Sequence, residues 1–269
     1  ILGDPRAMSI LHMLSYLILV NWICLSMLWL ISLKIKDASI IDIYWGLGFV
    51  MMSWTCLIIN LFFNETTITT SQWLINIMVT IWGLRLSIHL AMRNLGKGED
   101  LRYVKMRERA SSDWRLLSYV RVFMFQGFLQ MLLMTPIFLV HYYPGQLGMN
   151  FFDYFGLLVW VIGFGIETIT DIQLTKFRSN ATNNNKILRA GLWRYSRHPN
   201  YFGDALQWFA FFIISLNSGY IWGVVGPILM VFIFLKLTIG ILERSQTRKR
   251  PGYEEYTKST NVFFPGRRR

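Results

Sequence analysis

The stretch Gly191-Leu192-Trp193-Arg194-Tyr195-Ser196-Arg197-His198-Pro199-Asn200-Tyr201-Phe202-Gly203-Asp204 gathers side chains of unlike chemistry directly ahead of an apolar run. Arg194 and Arg197 offer planar guanidinium forks for phosphate. The aromatic side chains offer faces for a planar ring, Pro199 fixes the backbone, and His198, Asn200 and Asp204 can bond ribose or amide groups. Anchoring at a membrane interface accounts for Trp193 and Tyr195. It does not account for His198, Asn200 and Asp204 arriving together, so the stretch reads as a ligand site.

A second set of candidates is embedded in apolar sequence, where a charge is expensive unless it is paired or faces a cavity. Asp42 opens one apolar run in Asp42-Ile43-Tyr44-Trp45-Gly46, Arg85 lies in Trp82-Gly83-Leu84-Arg85, and Lys236 sits in the middle of the last run. Lys236 can snorkel or pair with an acid. Glu167 and Asp171 are four residues apart, which stacks them on one helical face. Two carboxylates so placed repel unless a cation or a bound hydroxyl separates them, which calls for Arg85, Arg178 or a ligand nearby. An ion-pair cluster that only holds helices together, with Asp42 on Arg85, explains these residues as well as a site does.

The elements that must position these groups are membrane helices. Hydrophobic residues make up 54% of the 269, and apolar runs of spanning length recur along the chain; a bilayer core of roughly 30 Å takes about 20 helical residues per crossing. Seven runs are expected to cross: Ser9 to Leu33, Ile40 to Phe62, Trp73 to Met92, Tyr119 to His141, Tyr154 to Thr170, Gly203 to Leu216, and Tyr220 to Leu242. The sixth is short and starts directly after the polar stretch, so six to eight crossings stay open. The fold class is all-α, a polytopic bundle of about seven transmembrane helices.

Charge orients these helices, because Lys and Arg collect on the cytoplasmic face. Two basic residues lie in Lys34 to Ser39, seven in Arg93 to Ser118, six in Asp171 to Tyr201 and eight in Glu243 to Arg269. The alternate connections, Phe63 to Gln72, Tyr142 to Asp153 and Asn217 to Gly219, hold none. An odd number of crossings follows, with the C-terminus on the basic, cytoplasmic-like side. The net charge of +12 therefore describes one face, and for Arg267, Arg268 and Arg269 topology and attraction to anionic membrane lipids suffice. Nothing resembles a nucleic-acid module. Cys24 and Cys56 sit in separate apolar runs and the four histidines form no metal-ligand spacing, so neither disulfide nor metal is expected. The chain opens on Ile1, which fits removal of a targeting peptide and truncation equally. Endoplasmic reticulum, mitochondrial inner and bacterial inner membrane all remain open. No repeat or linker divides the chain, so residues 1–269 are expected to form a single transmembrane domain.

Several motifs in order carry a family resemblance: Asp42-Ile43-Tyr44-Trp45-Gly46-Leu47-Gly48-Phe49; Trp82-Gly83-Leu84-Arg85; Arg93-Asn94-Leu95-Gly96-Lys97-Gly98-Glu99-Asp100 with Arg102-Tyr103; Asp171 with Phe177-Arg178; the Arg-His-Pro-Asn-Tyr-Phe-Gly-Asp run; and Arg250-Pro251-Gly252-Tyr253-Glu254-Glu255-Tyr256. Over about Asp42 to Phe264 the chain resembles the steroid 5-alpha-reductase-like integral membrane proteins, in their uncharacterised branch with the steroid 5-alpha-reductase C-terminal-like domain. The resemblance implies an oxidoreductase of lipid metabolism that uses NADPH, held on the basic side, to reduce a carbon-carbon double bond in a lipid-like or steroid-like enone. No Rossmann glycine motif is present, and the basic loops answer the charge of the cofactor instead. By position, Asp171, Arg178, Tyr195, Asn200, Tyr201 and Asp204 fall where the reductases contact cofactor, with Glu167 among them where the steroid reductases have an asparagine. Arg197 and His198 are matched in sterol-reductase and methyltransferase relatives. The loop 171–202 and the tail 243–269 would face the cofactor, with Arg244, Arg248 and Tyr256 on phosphate or ribose. Trp82 occupies the place of the carbonyl-polarising tyrosine, and an indole N–H cannot deliver a proton. Asp42, kept protonated by burial, is then the candidate acid, with Tyr44 in reserve. Two alternatives stand beside this: a non-catalytic accessory subunit of a larger membrane complex that retains the fold, and an S-adenosylmethionine-dependent methyltransferase, whose ligand has no phosphates for so many arginines.

Overall fold

The computed structural model describes residues 9–64, 67–110 and 113–267; Ile1, Arg268 and Arg269, which entered the expectations above, lie outside them. Every regular element among the described residues is helical. Six helical runs are long and apolar enough to cross a membrane, and the protein is a multi-pass membrane protein. The chain divides into two compact units, residues 1–149 with 217–223, and 150–216 with 224–269.

The first unit is built on three long helices, α1 (Ile10–Ile35), α2 (Ile40–Phe62) and α3 (Thr70–Asn94). Ser9 caps α1 by accepting from the His12 amide, and a capping box between Thr69 and Gln72 starts α3. α1 leaves through Lys36 in the left-handed conformation, φ 59°, which turns the chain straight into α2. α2 and α3 touch backbone to backbone at Gly46 and Gly83, where a Cβ on Gly83 would lie 2.6 Å from the Gly46 carbonyl oxygen. Small residues at such crossings let helices associate where lipid removes most of the hydrophobic driving force.

Two short helices, α4 (Leu101–Glu108) and α5 (Trp114–Ser118), carry the first long basic loop. The run expected as one crossing from Tyr119 to His141 is interrupted. It comprises a π-helical segment, Tyr119–Met124, then α6 (Phe125–Leu133), and then α7 (Thr135–Tyr142) with Pro136 in its first turn. Proline is tolerated there because its missing N–H would have had no intrahelical partner. Several buried polar side chains find partners within this unit. Ser53 donates to Asn76 at 2.7 Å, Asn60 donates to the His141 carbonyl at 2.9 Å, and Asn76 meets the His141 ring at 3.1 Å.

The second unit pairs α8 (Phe151–Ser179) with α9 (Pro199–Ser215). At 29 residues α8 is about 44 Å long, so it outruns the apolar stretch from Tyr154 to Thr170 and carries Glu167 and Asp171 in a continuous helix. α9 contains the expected sixth crossing; its 17 residues reach about 26 Å, and it is not among the six runs of spanning length. The two helices meet at Gly163 and Gly203, where a Cβ on Gly203 would lie 2.6 Å from the Glu167 backbone nitrogen. α10 (Val225–Phe232), a π-helical segment Ile233–Thr238 holding the exposed Lys236, α11 (Ile239–Lys249) and α12 (Tyr253–Ser259) complete the unit.

Candidate functional site

The polar stretch folds as a hinge between α8 and α9. Gly191, at φ +60°, turns the chain over Gln173, whose side-chain oxygen accepts from the Leu192 amide at 3.2 Å. Trp193 is buried and donates to the Thr170 carbonyl at 3.1 Å, locking the stretch onto α8. Ser196 then accepts from the His198 amide at 3.1 Å, and Pro199 opens α9.

That entry sets Asn200, Asp204 and Gln207 on the first turns of α9, against α8. Asn200 donates to Asp171 at 3.4 Å, and Gln207 donates to Glu167 at 2.7 Å. Amides of α9 thus stand beside both carboxylates of the stacked pair. Each amide keeps an oxygen, Asn200 Oδ1 and Gln207 Oε1, that is buried with no hydrogen-bond partner among the described residues. Such acceptors call for a donor. Asp204 is buried on the same helix, and the ring of Tyr201 stacks between His198 and Phe234, with centroids 5.6 and 4.6 Å away.

Arg197 organises the other side of the hinge. Its Nε and Nη2 donate to Glu243 at 2.6 and 3.2 Å, while Nη1 donates to the carbonyls of Thr257 and Thr260 at 2.8 and 2.5 Å. These carbonyls end α12, where a positive charge also opposes the helix dipole. The tail is stitched back onto the hinge along its length: Ser196 donates to the Phe263 carbonyl at 2.9 Å, the Arg197 amide to that of Asn261 at 2.9 Å, and the Gly266 amide to that of Tyr195 at 3.1 Å. Between tail and hinge lies a cleft of about 590 Å³ lined by Arg197, Gly240, Glu243, Arg244, Thr247, Arg248 and Thr257.

The expected cofactor residues therefore fall into four groups. Glu167, Asp171 and Asn200 come together where α8 meets α9, with Asp204 one turn on from Asn200 and Tyr201 stacked on His198 and Phe234; Arg197, Arg244 and Arg248 line the cleft, with His198 beside them on Glu243 at 3.2 Å. Tyr195 and Arg178 are exposed, the latter in the last turn of α8. Tyr256 is buried and uses its hydroxyl to donate to the Trp193 carbonyl at 2.6 Å, which makes it a brace of the hinge. Glu243 was missed in the sequence; the signal was an acid at the junction between an apolar run and a basic tail.

In the first unit Asp42 is an acceptor. Arg102 Nη2 donates to its Oδ2 at 2.6 Å and the Tyr103 hydroxyl to its Oδ1 at 2.8 Å. Both carboxylate oxygens are thus engaged from outside α2. The partners of Asp42 come from α4, whereas the sequence nominated Arg85. The network continues from Tyr103 to Gln126, whose side-chain amide donates to the hydroxyl at 3.3 Å and whose oxygen accepts from the Trp45 indole. Burial, with the Asp42 charge adding to it, pushes the Tyr103 phenol up. Tyr44 is buried beside Cys24 in the apolar cluster that also contains Tyr103. Trp82 is fully buried against Phe49, their rings 5.8 Å apart. Among the described residues no group of three or more His, Cys, Asp or Glu is arranged to hold a metal.

Comparison with known proteins follows the same lines. An uncharacterised protein of Schizosaccharomyces pombe is 24% identical over 92% of this chain and 78% of its own length. The 3-oxo-5-alpha-steroid 4-dehydrogenase 1 of Rattus norvegicus is 27% identical over 41% of this chain and 40% of its own, and the very-long-chain enoyl-CoA reductase of Dictyostelium discoideum 29% identical over 42% and 35%. The chain thus spans well under half the length of these two enzymes. No solved structure matches significantly. The family profile described as "Protein of unknown function (DUF1295)" matches residues 28–260, both halves of the hinge and nearly all of the membrane helices with it, so the chain belongs to that family, within the steroid 5-alpha-reductase-like group.

Proposed function

We propose that this protein is an NADPH-dependent membrane reductase acting on a carbon-carbon double bond of a lipid-like enone. The observation that carries the proposal is the arginine-lined cleft, whose Arg197 stands three residues ahead of the Asn200 that bonds Asp171, in a chain whose distant relatives include a steroid 4-dehydrogenase and an enoyl-CoA reductase. The residues fit the cofactor. Arg244 and Arg248 are exposed on the cleft wall for phosphate, and Asn200 Oδ1 and Gln207 Oε1 are buried acceptors that suit the carboxamide and ribose hydroxyls, both donors. Bound there, NADPH would supply a hydride to the beta carbon of the enone, and the enolate so formed would take its proton from solvent. Asp171 and Asn200 would orient the nicotinamide, and the stacked rings of His198, Tyr201 and Phe234 would offer it a flat surface. The test is direct: protein purified in neutral nanodiscs should quench its tryptophan emission on titration with NADPH. Absence of saturable binding would defeat the proposal.

A second reading, a non-catalytic membrane subunit that retains the fold, is favoured by one observation: both Asp42 oxygens accept hydrogen bonds, in a chain with Trp82 at the family tyrosine position. Saturable NADPH binding without oxidation of the cofactor in the presence of a panel of lipid enones would favour it.

A further inference from the structure

The arginine cleft contains a single acid. Glu243 stands among Arg197, Arg244 and Arg248, and its side chain is 20% exposed while that of Arg197 is 10% exposed. The two edges of the Arg197 guanidinium are used differently. Nη1 is anchored by the backbone of α12 at the Thr257 and Thr260 carbonyls, whereas the Nε and Nη2 fork is closed by a side chain, Glu243. Two adjacent N–H groups on a carboxylate are also the geometry in which arginine takes phosphate.

We propose that Glu243 is a resident anion in a phosphate subsite formed by Arg197, Arg244 and Arg248, and that a phosphate dianion of the bound nucleotide displaces its carboxylate from the Arg197 fork. The inference rests on the nucleotide-binding reading above and adds the identity of the subsite and the group that sets its affinity. Three arginines less one glutamate leave a formal +2 on the wall, which matches a phosphate group carrying close to −2 at neutral pH. A dianion attracts the fork more strongly than a monoanion at the same distance. Exchange of one for the other leaves the Nη1 bonds in place, so the tail stays pinned while the fork changes partner.

Glu243→Gln in the full chain, reconstituted in net-neutral phosphatidylcholine nanodiscs, tests this with pyrophosphate and NADPH as probes in calorimetric titrations. Loss of the resident charge should tighten both probes roughly tenfold, about 1.4 kcal/mol. Arg197→Lys, which keeps the charge and loses the fork, should weaken both. Equal or weaker pyrophosphate binding by a Glu243→Gln protein with an unchanged unfolding temperature would overturn the proposal and leave Glu243 a structural partner of Arg197. Should that variant unfold early, Glu243→Asp withdraws the carboxylate by one methylene, and a folded Asp variant that fails to tighten pyrophosphate overturns the proposal equally. Tightened pyrophosphate binding without NADPH binding in either protein would keep the anion subsite and remove the nucleotide reading.

Discussion

Arg102 reaches across sixty positions of sequence to place Nη2 2.6 Å from Asp42 Oδ2, binding the basic loop to the first turn of α2. Tyr103, the next residue, takes the other oxygen of the same carboxylate. This pair makes Asp42 a clamp. Asp42→Asn and Arg102→Ala should each lower the unfolding temperature, and the double variant should lose less than the sum, with a coupling of about 1 kcal/mol because the Arg102 side chain is partly exposed. Thermal unfolding of the four proteins in one detergent provides the cycle, and an Asp42→Asn protein as stable as the parent would remove the clamp.

Acid should loosen the same loop through Asp100. Burial disfavours its ionised form, but side-chain and backbone hydrogen bonds from Arg102 and the charges of Arg102 and Arg93 outweigh that and hold its carboxyl below the usual carboxylate value of 3.8. A depressed folded value means that the stabilisation is present above the unfolded value and is lost as pH falls through the folded one. Stability should therefore drop in the window below about pH 4, and Asp100→Asn should flatten that limb. Unfolding temperatures of both proteins across that window decide it; identical acid limbs would remove Asp100 from the account.

The α8 and α9 contact predicts a large effect from a single methyl group. In Gly203→Ala the new Cβ would meet the Glu167 backbone nitrogen at 2.6 Å, and backbone cannot yield as a flexible side chain can. The variant should cost about 1–3 kcal/mol and weaken NADPH binding, since Asn200 and Gln207 would shift from Asp171 and Glu167. Unfolding and titration together check this; a neutral Gly203→Ala would mean that the helices are farther apart than described.

Cofactor choice should rest on the arginines that meet the 2'-phosphate. Only the 2'-phosphate separates NADPH from NADH, and under the proposed function Arg248 on the cleft wall or Arg178 in the last turn of α8 would meet it. Replacing the responsible residue by alanine should weaken NADPH by about 1.5–3 kcal/mol, the range of a charge-assisted hydrogen bond, and leave NADH nearly unchanged. Parallel titrations with both nucleotides report this, and equal losses would assign the arginine elsewhere.

Orientation in the membrane is a separate expectation. A cysteine at Asn64, in a connection without basic residues, should label from the side opposite a cysteine at Lys97, which sits in the first long basic loop. Impermeant maleimide on sealed vesicles, with Cys24 and Cys56 replaced by serine, gives the answer. Labelling of both from one side would break the assignment.

The sequence by itself determined the helical membrane fold and the identity of the polar hinge, because apolar length and the alternation of basic and uncharged connections are local properties of the chain. It also placed Glu167 beside Asp171, since a spacing of four fixes a shared helical face. The buried polar core of Ser53, Asn60, Asn76 and His141 was not legible, because isolated amides in apolar runs carry no period that marks a partner. The tertiary structure alone decided the partners: Arg102 for Asp42, the α9 amides for the stacked carboxylates, and Glu243 with the α12 carbonyls for Arg197. Each of these pairs joins residues tens of positions apart, and a guanidinium or a carboxylate accepts many partners of opposite character. For the stacked carboxylates the crossing at Gly163 and Gly203, where the backbones can approach, brings α9 and its amides against α8.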